Sequence, residues 1–240
     1  MLLPLLLVGS LLNAQDCTNL CRGKVDIGPA YVHVDFLQSG KTYHRMDLAA
    51  VRADLHYRVW SGIIIKPTFL YGHGKKSNEL ITGGIGLGFC IPLQQYLPCQ
   101  WNMTLTPLVG INWGYVRTPF KKKIDFLGTV TVLELHQKFH STSPYIGAEI
   151  SWTFIPAWRL VVSYQYAWSR THTTITARKI EAPDVKDKSK SEGCSISGML
   201  EHDLTANWSI NLGAAYNNSL SKEKHGLRGW GLKLGIAYWF

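Results

Sequence analysis

The stretch Trp230-Gly-Leu-Lys-Leu-Gly-Ile-Ala-Tyr-Trp-Phe240 decides how this chain folds. Counting back from Phe240, the alternate residues are Tyr238, Ile236, Leu234, Leu232 and Trp230. Between them stand Trp239, Ala237, Gly235, Lys233 and Gly231, mostly small or polar. Successive side chains of a strand point to opposite faces, so one face is continuously apolar. The run has the length a tilted strand needs to cross a bilayer.

The same period recurs upstream. Trp208, Ile210, Leu212, Ala214 and Tyr216 alternate with Ser209, Asn211, Gly213, Ala215 and Asn217. Trp158 to Trp168 and Trp101 to Trp113 repeat the pattern, each opening on Trp and carrying another aromatic about ten residues later. Aromatics at both rims are placed as two interfacial girdles, which a soluble β-sandwich has no reason to fix. Short connections precede Trp101, Trp158 and Trp208, and long charged segments follow: 115–143, 171–193 and 217–228. Short turns belong to the periplasmic side of a membrane barrel and long loops to the exterior, so these three strands run outward. Inward strands then fall near 42–59, 79–91, 143–154 and 193–203, with outward strands near 25–38 and 62–71. The expected fold is all-β: a transmembrane antiparallel up-and-down barrel of about 10 strands with both termini periplasmic. Eight or 12 strands would also keep the parity. Residues 126–139 (FLGTVTVLELHQKF) are expected in an extracellular hairpin, because an extra membrane strand would break that parity.

The terminal strand resembles that of outer-membrane barrels, which ends in Phe with an aromatic two residues earlier and is read by the barrel-assembly machinery. The resemblance implies that Tyr238 and Phe240 form an assembly signal, and that the outer membrane is the chain's location. The architecture is similar to small barrels of the OmpA-type and opacity-protein superfamily over nearly the whole mature chain. It rests on no functional motif, so it transfers no functional residue.

Other features fit export. The apolar run Leu2 to Leu12 is too short to span a bilayer but suits a signal-peptide core, although no positive n-region precedes it. Residues 1–14 are therefore expected to be a signal peptide, 15–23 a short periplasmic segment and 24–240 the barrel. Mean hydropathy is −0.02 and no later stretch resembles a membrane helix, as expected where alternation hides the apolar wall. Five cysteines suit an oxidising compartment, and Cys90 and Cys99 flank a turn as a cross-strand disulfide would. Cysteines in such a barrel also resemble those of chlamydial envelope proteins, which implies cross-linking through disulfides.

The lumen is expected to carry charge. If Ala30, Val32, Val34 and Phe36 look outward, Tyr31, His33 and Asp35 look in. If Val51, Ala53, Leu55 and Tyr57 look outward, Arg52, Asp54, His56 and Arg58 look in. Glu149, Glu201 and Lys233 join them from other strands. These charges either pair into a plug or line a constricted channel. His33, Asp35, Asp54 and His56 have the residue types of acid–base chemistry, but no motif of a barrel protease or lipid A acyl enzyme matches beyond the loose echo Phe139-His140-Ser141. His136 and His140 with Glu134 have a spacing that gathers metal ligands on a helix, not on a strand. The glycine run 83–88 is followed by Ile91-Pro92, so no helix follows to make it a nucleotide loop. No metal, cofactor or catalytic residue is expected.

Net charge is +9. A basic surface patch is expected at Lys121, Lys122, Lys123, Arg178 and Lys179. Such a rim attracts lipopolysaccharide phosphates or polyanionic host glycans, whereas nucleic acid is no partner for a surface loop. The function expected is a non-enzymatic envelope or surface-contact role. The alternatives are a narrow porin-like channel and, behind it, a lipid A-modifying or proteolytic barrel.

Overall fold

The computed structural model describes residues 23–60, 62–95, 102–126, 129–177 and 184–240. Ten long strands make one closed antiparallel sheet. They are β1 (Gly23–Gln38), β2 (Lys41–Trp60), β3 (Ile63–Gly74), β4 (Asn78–Phe89), β6 (Asn102–Phe126), β7 (Thr129–Ile155), β8 (Trp158–Ala177), β9 (Val185–Asp203), β10 (Trp208–Leu220) and β11 (Gly226–Trp239). A short strand, β5 (Ile91–Pro92), pairs with β6 beneath β4. Each strand pairs with its sequence neighbours, β4 with β6, and the β1–β11 ladder closes the ring. At the seam the backbone N–H of Gly23 donates to the Phe240 carbonyl at 2.9 Å, and that of Phe240 donates to Gly23 at 3.0 Å. A Cβ at Gly23 would lie 2.4 Å from the tip of the Phe240 ring, which would have to shift to admit it.

The alternating apolar residues face outward, as read. Ile236, Leu234, Leu232, Ile210, Leu212, Val162, Val109 and Ile111 are all exposed on the outer wall, which is the surface a membrane barrel gives to lipid. Exposed aromatics ring both ends: Tyr57, Trp60, Trp158, Trp208, Tyr238 and Phe240 near the termini, and Tyr31, Tyr71, Trp113, Trp168, Tyr216 and Trp230 near the far end.

The connections differ at the two ends. Toward the termini lie the tight turn at Pro156–Ala157 and the bend 204–207. At the far end β1 and β2 meet in a two-residue turn, Ser39–Gly40, both with positive φ (51° and 77°), the geometry that matches strand twist. The segments 115–143 and 171–193, expected as loops, are largely strand: β6–β7 and β8–β9 continue past the girdle as long hairpins. Phe126 and residues 129–139 lie in the first of these, outside the count of wall strands. The hairpin β3–β4 is short and stops at the girdle, turning through Lys75–Ser77. Above it, among the described residues, β2 pairs only with β1 over 41–47 and β6 only with β7 over 118–126.

Candidate functional site

The candidate site is the lumen, which has two layers. The layer nearer the termini is ionic. Lys24 of β1 reaches Glu201 of β9 at 2.6 Å, and Arg159 of β8 reaches the same carboxylate at 3.3 Å. Glu201 is 0% exposed and also accepts from Ser209 Oγ at 2.8 Å. Trp239 closes this group from below. Its indole N–H donates to Ser209 Oγ at 3.1 Å, and its ring lies 5.0 Å from the Lys24 ammonium and 4.7 Å from the Arg159 guanidinium. Lys233 of β11 bridges Asp26 and Asp54, each at 2.8 Å, and Arg52 holds Asp54 at 2.9 Å. Lys66 of β3 pairs with Glu149 of β7, two strands that are not neighbours, so this bridge crosses the lumen.

Paired this way, the charges form a set of ion pairs inside the barrel. A buried charge with its partner removed is costly, whereas each carboxylate here has at least one cation against it. Arg52, Asp54, His56 and Arg58 alternate along β2 with the exposed Val51, Tyr57 and Val59, and Glu149, Glu201 and Lys233 each make ion pairs. Sequence reading missed Lys24, Asp26, Lys66 and Arg159. The signal for the first two was present, because Val25 and Ile27 are outward and leave their even-numbered neighbours inside.

The placement of His33 and Asp35 inside is corrected. The β1–β11 ladder keeps one register from Lys24 to Leu37, and the β1–β2 ladder shifts only between Phe36 and Leu37. Whichever parity Val25 and Ile27 set therefore persists up the strand. Val32, Val34 and Phe36 consequently point in, and Tyr31, His33 and Asp35 point out. The apolar alternation of β1 changes parity near Gly28-Pro29, but the backbone does not follow it.

The inverted half of β1 builds the second layer. Val34, Phe36, Met46, Leu48, Leu80 and Val116 form a buried apolar cluster inside the barrel, extended by Val32, Leu70, Phe139 and Leu227. Phe36 and Phe139 meet across it with ring centroids 5.3 Å apart. Over the short β3–β4 hairpin, Thr118 of β6 donates its hydroxyl to Asn78 at 2.9 Å and lies 2.8 Å from His44 Nε2 of β2. The opposite wall carries small hydroxyl residues that pair with one another: Ser163 with Ser197 at 2.7 Å, Ser143 with Ser169 at 2.7 Å and Ser191 with Ser219 at 3.0 Å. Between the two walls a cup of about 2930 Å³ opens at the hairpin end.

Among the described residues no group of His, Cys, Asp and Glu is arranged to hold a metal. Lys121, Lys122 and Lys123 are residues of β6 near its tip, while Arg178 and Lys179 lie outside the described residues. So do the expected signal peptide, Cys17, Cys21 and Cys99, and with Cys99 the expected Cys90–Cys99 bridge. Nothing in the structure supports the chlamydial-type cysteine resemblance.

No protein-family model matches this sequence. No curated protein matches it either. Solved structures do. The outer-membrane protease OmpT of Escherichia coli aligns with a TM-score of 0.62 at 12% identity, covering 92% of this chain and 97% of that one. The translocator domain of the autotransporter NalP from Neisseria meningitidis aligns at 0.49 and 12% identity, over 96% and 93%. The attachment invasion locus protein Ail of Yersinia pestis aligns at 0.44 and 11% identity, over 92% and 99%. At 12% identity the first of these speaks for the fold alone. In fold, this chain is one of the small outer-membrane β-barrels.

Proposed function

We propose that the chain is an integral outer-membrane barrel with both termini in the periplasm, closed to solute flow, whose hairpin end serves as a non-enzymatic contact surface. The observation that carries this reading is the ionic layer. Charges from β1, β2, β3, β7, β8, β9 and β11 neutralise one another in the lumen, and two bridges, Lys24–Glu201 and Lys66–Glu149, each join strands three places apart around the ring. A porin interior is instead a water-filled polar channel. The hairpins β6–β7 and β8–β9 reach past the aromatic girdle and carry the basic run Lys121 to Lys123, a field that draws phosphates of lipopolysaccharide or polyanionic glycans of a host surface. Assembly would proceed through the terminal strand, with Tyr238 and Phe240 as its recognition residues.

The test is single-channel recording from the refolded chain in a planar bilayer, with folding confirmed by heat-modifiable gel mobility. A folded, silent barrel is the expected result. Steady conductance that falls when Arg52 or Arg58 is neutralised would overturn it and make the chain a narrow pore.

A further inference from the structure

The correction to β1 leaves charged residues on the wall that faces lipid, and they form an ordered group. Asp35 of β1 stands directly opposite Arg45 of β2 on one side and Arg228 of β11 on the other. Arg45 Nε donates to Asp35 at 3.2 Å, and an Arg228 terminal nitrogen donates to its other oxygen at 3.3 Å. The row lies two residues beyond His33 and Trp230, whose rings stack at 5.6 Å, hence about 7 Å past the upper girdle. That is the depth of lipid headgroups, where charge on the outer wall costs little.

We propose that Arg45 and Arg228, braced by Asp35, bind a phosphate group of a glycolipid in the leaflet around the hairpin end. Each guanidinium has five N–H donors in a planar fork, and each commits one nitrogen to Asp35. The arginine side chains are still 70% and 44% exposed while that of Asp35 is 13% exposed, so the carboxylate is spent inward and the forks remain open outward. Within this row two arginines face one aspartate, and the second carboxylate of this face, Asp47, belongs to the row of His33. The nearby Asp47 is engaged by Tyr31 and His33, with His33 Nδ1 2.7 Å away. The two arginines are separated by one intervening strand, about 10 Å between backbones, which lets both forks converge on one phosphate. The other outer-wall pair at this depth, Arg117 with Glu79 at 3.9 Å, matches one cation to one anion and has no such surplus.

The assignment of the leaflet rests on the orientation proposed above; the phosphate site itself does not. The experiment uses the full chain refolded in zwitterionic detergent and titrated with rough lipopolysaccharide. Its arms are R45Q/R228Q, the same lipid stripped of phosphate, and K188Q/K190Q as a charge-matched control on β9. Loss of about tenfold in affinity is expected for R45Q/R228Q and for the stripped lipid, with a clearly smaller loss in the control. Equal loss in the control would reduce the effect to diffuse charge and overturn the site. Unchanged affinity in R45Q/R228Q would do the same, while displacement of the lipid by 10 mM inorganic phosphate (roughly the concentration at which a free-anion site would compete) would overturn the glycolipid as its occupant. If R45Q/R228Q does not fold, R45K/R228K keeps both charges but loses the forks, and weaker binding is still expected. Protease accessibility of the β6–β7 hairpin on intact cells reports orientation separately, so failure of that reading is distinguishable from failure of the site.

Discussion

Glu201 has no solvent exposure and three partners, Lys24, Arg159 and Ser209. Glu201→Ala would strand two cations in the lumen, and a loss of about 3–5 kcal/mol is expected, read as a lower urea midpoint for unfolding from vesicles. The Lys66–Glu149 bridge gives a sharper contrast. Lys66→Met alone leaves Glu149 unpaired and should destabilise by a similar amount. Lys66→Met combined with Glu149→Met should recover most of the loss, since a matched apolar pair replaces the ions. A double variant no more stable than Lys66→Met would show that the bridge is not the partner that matters. Part of this layer was legible in the sequence, because at the depth of the lipid tails β2, β7 and β11 keep their charges off the outer face. Which cation meets which carboxylate was not legible. Lys66 and Glu149 are 83 residues apart, and only closure of the ring brings them together.

At the scale of strands, β1 shows how alternation can mislead. Its upper half reads apolar on even positions, Val32, Val34 and Phe36, and its lower half on odd ones, Val25 and Ile27. Either half alone suggests an outward face, and they conflict. The ladders to β2 and β11 resolve the conflict by carrying a single parity through both halves. The apolar even residues are then buried, because Met46, Leu48, Leu80 and Val116 supply an interior they can pack against. No local signal announces that interior, since it is assembled from four strands. A fluorophore on His33→Cys, in a background without other cysteines, should be quenched by nitroxide carried on lipids. The same probe on Val34→Cys should not be. Reversed quenching would restore the original reading of β1. Strand number and the extension of β6–β7 beyond the wall were readable because parity and the spacing of the aromatics constrain them over the whole chain.

The whole molecule joins an ion-paired base to an open cup with one apolar and one hydroxyl wall. The chain's outer face was legible almost throughout, because every strand must satisfy the same solvent. The cup was not, because its two walls come from strands far apart in sequence. The short β3–β4 hairpin has a further consequence for how such a barrel comes apart. Within the wall the strands are joined by ladders of main-chain bonds, but above Gly74, among the described residues, the gap between β2 and β6 is spanned by the side chains of His44, Thr118 and Asn78. Opening there breaks a few contacts, not a zipper. In deuterium exchange, amides of 41–47 and 118–120 should therefore exchange well before those of the β1–β11 seam, and Thr118→Val should hasten them further. Thermal rupture then starts at a notch in the rim and travels down toward the charged base, leaving the join between the first and last strands intact until the end.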